Sequence, residues 1–255
     1  MPQLDLDVTD GIATITLNNP SALNAWTQQM QRDMASTLDR LDADPDVEGI
    51  VLTGAGDRAF CAGQDLKEVS AFTEDDVEEW LATFQRVYDA VLSNSKPVIA
   101  ALNGVTAGSG YQLALLCDVR VAHSGVRIGQ PEVRSGIPSI TGMYLTWQSV
   151  GHSKTAEMML TGRLLDAEEA HRLGMIAELC AADEVLPRSI ALAGEMAALP
   201  KQAFAKTKQR IRATLMPGLT EAFEAALAID QEVYEDGEPQ RTADDFVAKR
   251  GDRGQ

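Results

Sequence analysis

The sequence has little cysteine, little positive charge and no long apolar run, and each shortage removes a class of protein. Its three cysteines, Cys61, Cys117 and Cys180, lie far apart without a CxxC spacing, which predicts free thiols rather than disulfides or a zinc site. Lys and Arg number 22 against 38 Asp and Glu, a net charge of −16 with a pI near 4.5. That balance argues against nucleic acid or an anionic membrane as a general partner, but leaves room for an anionic small ligand at a local basic cluster. No uncharged apolar run approaches the ~18 residues of a membrane span. The opening MPQLDLDVTD lacks a basic-then-apolar signal pattern, so a cytoplasmic location is expected. His123, His152 and His171 have no HExxH or other ligand spacing, Ser109 sits in Ala107-Gly108-Ser109-Gly110 rather than GxSxG, and no Walker A sequence occurs. No metal is therefore expected.

What is present is the composition of a globular protein: 255 residues, 45% hydrophobic and 24% charged, enough for one large α/β domain or two small ones. Residues 5–17 alternate around Asp10-Gly11 and predict a β-hairpin. Asn24 is the expected cap of a helix running to about Leu41, with Trp26, Met30, Met34, Leu38 and Leu41 on one stripe. A strand over 47–53, a glycine-rich loop over 54–65, an amphipathic helix over 74–92 and a buried strand over 96–102 follow. Beyond residue 118 the pattern gives strands at 117–122, 126–128 and 175–179. Helices are predicted at 143–150, 154–160, 167–173 (capped by Asp166, ended by Gly174) and 186–198. The composition changes near Pro200 to an all-helical tail, read as helices over 201–215, 220–234 and 242–249. The expected division is a mixed core over 1–199 and a helical region over 200–255.

The chain is organised around residues 103–118, NGVTAGSGYQLALLCD. Gly104, Gly108 and Gly110 permit a tight turn and close backbone approach to a ligand. The helix-forming stretch after them offers free N–H groups and a positive dipole end to an anion.

These residues, taken with others in order, resemble the enoyl-CoA hydratase/isomerase (crotonase) superfamily over essentially the full length. The resemblance is carried by Thr16-Leu17-Asn18…Asn24-Ala25, residues 51–56, and Phe60-Cys61-Ala62-Gly63-Gln64-Asp65-Leu66. It continues through Lys96-Pro97, Asn103-Gly104, Gly108-Ser109-Gly110, Cys117-Asp118, Gly129-Gln130-Pro131-Glu132, Leu160-Thr161-Gly162-Arg163 and Ala170…Gly174-Met175-Ile176. It implies an α/β fold, a spiral of ββα turns with C-terminal helices that pack the subunit into a trimer or a dimer of trimers. It implies an acyl-CoA thioester as substrate, with coenzyme A part of that substrate and no separate cofactor. By carry-over, the N–H groups of Gln64 and Ser109 form an oxyanion hole, Ser109 replacing the usual glycine. Ala22, Ala62, Gln64, Asp65, Leu66 and Ser109 line the coenzyme A groove, with Arg58, Lys67 and the basic stretch 201–210 as candidates for the phosphates. Glu132 is the expected acid/base. Gln112 stands where hydratases carry a second glutamate, and a carboxamide can orient water but cannot exchange a proton. Tyr111 and Tyr144 read first as packing aromatics and second as phenol donors near the acyl chain. The acyl pocket is expected from residues 71–92 and 137–147. One carboxylate favours double-bond isomerisation. The alternatives are a hydratase with Gln112 orienting water, an acyl-CoA decarboxylase, and a catalytically silent acyl-CoA-binding protein.

Overall fold

The computed structural model describes residues 3–69 and 71–242, and not the side chain of Leu66. Strands β1 (Gln3–Thr9) and β2 (Ile12–Asn18) form the expected hairpin. Its turn residues Asp10 and Gly11 have φ of 50° and 77°, the left-handed pair that a two-residue hairpin turn requires. In order there follow α1 (Gln28–Ala43), β3 (Gly49–Gly54), β4 (Ala59–Cys61), the single turn α2 (Leu66–Val69), α3 (Val77–Ser93), β5 (Val98–Leu102) and β6 (Val105–Ala107). Next come α4 (Ser109–Leu116), β7 (Val119–His123), β8 (Arg127–Gly129), a 3-10 turn (Glu132–Ser135), α5 (Ile140–Val150), α6 (His152–Thr161) and β9 (Leu165–Asp166). The chain continues through α7 (Ala167–Arg172), β10 (Glu178–Cys180), α8 (Val185–Ala197) and α9 (Lys201–Asp236).

The strands make two sheets, a six-stranded one ordered β1-β2-β3-β5-β7-β10 and a four-stranded one ordered β4-β6-β8-β9. The pairs β3/β4, β5/β6 and β7/β8 each send one strand to the larger sheet and the next to the smaller, and helices close each turn. This is the expected ββα spiral. The larger sheet is covered on both faces. Ile50, Leu52, Val98 and Ala100 join the main core with α1 and α3, while Val51, Ile99, Ala101 and Val121 pack on Val185 and Ala193 of α8. Burial on both faces is why β3 and β5 read as continuous apolar runs rather than alternating ones.

Three expectations need correction. Asn24 does not cap α1. Thr27 does, its Oγ1 accepting from Met30 N at 3.2 Å. Asn24 is fully buried with φ 54°, and its side chain ties loops together. Its Oδ1 accepts from Asn19 N at 3.1 Å, and its Nδ2 donates to Ala55 O at 2.9 Å and Ala59 O at 2.7 Å. Asparagine tolerates the left-handed region better than most residues, which suits this post. Second, the tail over 201–234 is one helix, α9, with Pro217 inside it. Packing against α3 and α5 holds the helix through the proline. Tyr144 of α5 seats against Gly218, where a Cβ would lie 2.5 Å from its ring, and its hydroxyl donates to Leu215 O at 2.8 Å. The helix expected at 242–249 lies, beyond Thr242, outside the described residues. Third, the glycine-rich stretches 54–65 and 103–110 contain β4 and β6, too short to leave an alternating pattern.

Candidate active site

The site forms where two loops meet at the start of α4. Gly63 (φ 104°) and Gly108 (φ 58°) bring the loops close: a Cβ on Gly63 would lie 3.2 Å from Ala107 O and 3.5 Å from Ser109 N. Ser109 opens α4, and an N–H in a helix's first turn has no carbonyl within the helix to bond. On the other loop Trp26 N donates to Gly63 O and Asp65 N donates to Trp26 O, each at 3.0 Å. In such a parallel bridge the intervening N–H, that of Gln64, faces away from Trp26. Trp26 also holds Ser109, its Nε1 donating to the buried Oγ at 2.9 Å. The serine side chain is thus anchored inside the protein. At the far end of α4, Arg120 donates to Ala114 O at 3.1 Å and Cys117 O at 2.8 Å, satisfying carbonyls that the helix end leaves open.

In front of these loops lies an open cavity. Ala62, Gln64 and Ser109 line it, together with Gln112 and Glu132. Ala22 and Asp65 are not among the described lining residues, and the Leu66 side chain lies outside the described ones. Ala22 stands beside the loop in the turn Pro20–Ala22, whose next residue, Leu23, accepts from Ala62 N at 3.0 Å. The aromatic wall comes from Trp80, Phe84 and Tyr88 of α3, and the roof from Ile137, Pro138 and Ile140, both regions expected for an acyl pocket. Tyr111 and Tyr144 do not line it. The Tyr111 hydroxyl lies 2.9 Å from Thr146 Oγ1, so both tyrosines are packing residues.

Glu132 begins the 3-10 turn with Oε2 sealed from solvent and without a protein partner. A Cβ on Gly108 would lie 2.9 Å from its Oε1, so a side chain there would push the carboxylate aside. Burial first, and the charge of Asp230 with it, push the Glu132 carboxyl up to about 8 from the ordinary 4.5, against the pull of its own backbone N–H. Gln112, in the first turn of α4, accepts on Oε1 from the Tyr88 hydroxyl and from Thr141 Oγ1, the latter at 2.9 Å. Its amide NH₂ is left as a donor.

The candidate phosphate partners fare unevenly. Lys208 is buried, donating to Asp118 Oδ2 at 2.7 Å and Lys96 O at 2.9 Å. Lys201 pairs with Glu48 at 3.2 Å. Arg58 is exposed beside the loop. No Lys or Arg is among the described residues lining the cavity, and these residues hold no cluster fit for a metal. All three cysteines are free thiols, as expected.

Several polar lining groups sit within stretches the sequence points to without being singled out there, and one, on α9, lies outside them. Gln130, 1% exposed, has neither end of its amide bonded to protein, and Ser139 Oγ and Trp80 Nε1 are likewise unpartnered. Asp230 of α9 is buried with Oδ1 unpartnered. A signal for it existed: Phe223, Ala226, Asp230 and Tyr234 recur at helical spacing, and an acid on an apolar stripe is conspicuous.

The comparisons with known proteins point one way. The family model described as enoyl-CoA hydratase/isomerase matches residues 7–253. A probable enoyl-CoA hydratase of Rhizobium meliloti is 34% identical over 240 residues, covering 94% of this chain and 92% of that protein. A crotonyl-CoA hydratase of Syntrophomonas wolfei is 30% identical, covering 90% and 87%. Among solved structures, an enoyl-CoA hydratase/isomerase from Mycobacterium paratuberculosis superposes with a TM-score of 0.87 at 27% identity, covering 95% and 97%.

Proposed function

The chain belongs to the enoyl-CoA hydratase/isomerase family, and from that premise we propose that it moves the double bond of an enoyl-CoA thioester. The thioester oxygen is held by the N–H groups of Gln64 and Ser109. These donors stabilise the enolate as charge develops, a contribution of ~3 kcal/mol each for a preorganised donor. Glu132 takes a proton from one carbon and returns it to another. The observation that carries the reading is the Glu132 carboxylate. It is unpartnered, lodged against Gly108 one residue from Ser109 N, and shifted by burial to about 8, where a proton can be both accepted and released near neutrality. Coenzyme A enters as part of the substrate, its pantetheine running past Ala22, Ala62, Asp65 and Leu66. The exposed side chains of Leu199 and Ile211 (51% and 61%) support assembly into a trimer or hexamer. Among the described residues no helix is long and apolar enough to cross a membrane, which accords with a cytoplasmic enzyme.

Hydration is the second reading, favoured by the names of the relatives and by the free NH₂ of Gln112, a donor able to orient water. Gln112→Glu separates the two. A glutamate there would receive hydrogen bonds from Tyr88 and Thr141, supplying a second carboxylate poised as an ion beside Glu132. Formation of 3-hydroxyacyl-CoA from a short 2-enoyl-CoA is expected to rise about tenfold or more over the parent. A parent that already hydrates efficiently, with no gain in the variant, would leave Gln112 as the water-orienting group of a hydratase.

A further inference from the structure

The acyl end of the cavity holds a carboxylate that the proposed reaction does not use. Asp230 is 3% exposed, one turn after Ala226 and one turn before Tyr234 on α9. It lines the cavity together with Trp80, whose ring packs on Tyr234, one turn on from Asp230, at 5.9 Å between centroids. Leu81 and Phe84 complete this part of the wall. An acid in such surroundings costs stability unless something bonds it. Asp230 Oδ1 has no partner in the protein, and neither has Trp80 Nε1, itself on a residue only 6% exposed. On this stretch of the wall, among Leu81, Phe84 and Ala226, stand an acceptor and a donor that are closed off from water and have no protein partner.

Resting on the acyl-CoA reading above, we infer that Asp230 and Trp80 bind a hydroxyl group carried on the acyl chain, so that the substrates are hydroxylated acyl-CoA thioesters rather than plain alkyl ones. A hydroxyl donates to Asp230 Oδ1 and accepts from Trp80 Nε1, satisfying both groups at once. An alkyl chain leaves both unpaired, and that penalty is what lets a polar site reject a ligand lacking the group. An ammonium satisfies the acid but leaves the indole N–H unpaired. A carboxylate on the ligand adds a third acid to a wall that already holds Glu132 and Asp230, with no Lys or Arg among its described residues. Burial pushes Asp230 up to about 7 from the ordinary 3.8, so the acid accepts a donor readily in either protonation state.

The test is calorimetric titration with hexanoyl-CoA and with hexanoyl-CoA hydroxylated at C4, C5 or C6, against the parent, Asp230→Leu, Asp230→Asn and Trp80→Phe. At one hydroxyl position the parent is expected to bind about tenfold or more tightly than it binds hexanoyl-CoA, the size of a hydrogen bond to a charged group. Asp230→Leu should abolish that difference and Trp80→Phe should reduce it. Asp230→Leu removes a buried acid, so an unchanged or raised Tm verifies its fold. No advantage for any hydroxyl position in the parent, or an advantage that survives Asp230→Leu, overturns the inference. So does a large fall in turnover of plain enoyl-CoA in Asp230→Asn with binding intact, which would make Asp230 a proton carrier. If hexanoyl-CoA and all its hydroxylated forms fail to bind the parent, the acyl-CoA reading itself fails and this inference with it.

Discussion

The two ends of the cavity are built by different means. The end proposed to react is mostly backbone: Gly63, Gln64, Gly108 and Ser109 lie in two short loops, close in space because glycines let them touch, with the Glu132 carboxylate lodged beside Gly108. The acyl end is side chain, contributed by α3 and α9, elements separated in sequence by more than a hundred residues and joined by a cluster of rings in which Trp80 meets Phe84 at 5.4 Å and Tyr234 at 5.9 Å. A backbone site can keep its chemistry while side chains vary around it. A side-chain wall can change its ligand through one substitution. On the proposed reading, the N–H groups of Gln64 and Ser109 define what reaction is possible, and the wall of α3 and α9 defines which acyl group undergoes it.

If that division holds, the largest effects lie at the reacting end. Glu132→Gln is expected to lower turnover ~10²–10⁴-fold, the usual loss of a positioned acid/base, while coenzyme A thioesters still bind, because the groove belongs to other loops. Near-full turnover of the variant would remove Glu132 from the mechanism. Gly108→Ala should come next. Its Cβ would stand 2.9 Å from Glu132 Oε1 at φ 58°, which displaces the carboxylate and strains the turn. A loss of about 1–3 kcal/mol in urea denaturation, together with a fall in turnover exceeding that of a control substitution on exposed α6, is the expected signature.

The acyl end should report itself more quietly, through pH. Glu132 rises from 4.5 to about 8 and Asp230 from 3.8 to about 7. Above about pH 5 the unfolded chain has released both protons, while the folded chain holds that of Asp230 up to about pH 7 and that of Glu132 up to about pH 8. Folding is therefore progressively disfavoured as pH rises through that window. Tm should fall from pH 5 to pH 8, and Asp230→Asn should flatten the fall by at least about 2 °C. An identical pH profile in parent and variant would place Asp230 in contact with water.

The same division explains what could be read from the chain. Backbone sites are local, so the loop around Gln64, the helix start at Ser109 and the acid after Gly129-Gln130-Pro131 were all visible as short strings. The hairpin, the buried strands β3 and β5 and most helices were visible through periodicity. Asn24 was misread because an N-cap and a left-handed loop anchor favour the same residue type. The continuity of α9 through Pro217 was hidden because tertiary packing overrode a local helix breaker. Strands β4 and β6, three residues each, are too brief to carry a period. Trp26 and Tyr88 look like ordinary residues of helical stripes, and Asp230, though conspicuous as an acid on an apolar stripe, carries no local sign of the cavity it lines. Only the fold brings the Trp26 indole to Ser109 and the Tyr88 hydroxyl to Gln112.

The central claim is that Glu132 alone carries a proton between two carbons of a thioester held at Gln64 N and Ser109 N. It is tested most directly by NMR of 3-hexenoyl-CoA, deuterated at C2, turning over in ordinary water. The account predicts 2-hexenoyl-CoA with part of the deuterium recovered at C4, since one carboxylate takes it from C2 and returns it before exchange, and no such transfer in Glu132→Gln. Failure of the parent to shift the double bond, with 2-hexenoyl-CoA instead hydrated to 3-hydroxyhexanoyl-CoA, would contradict it.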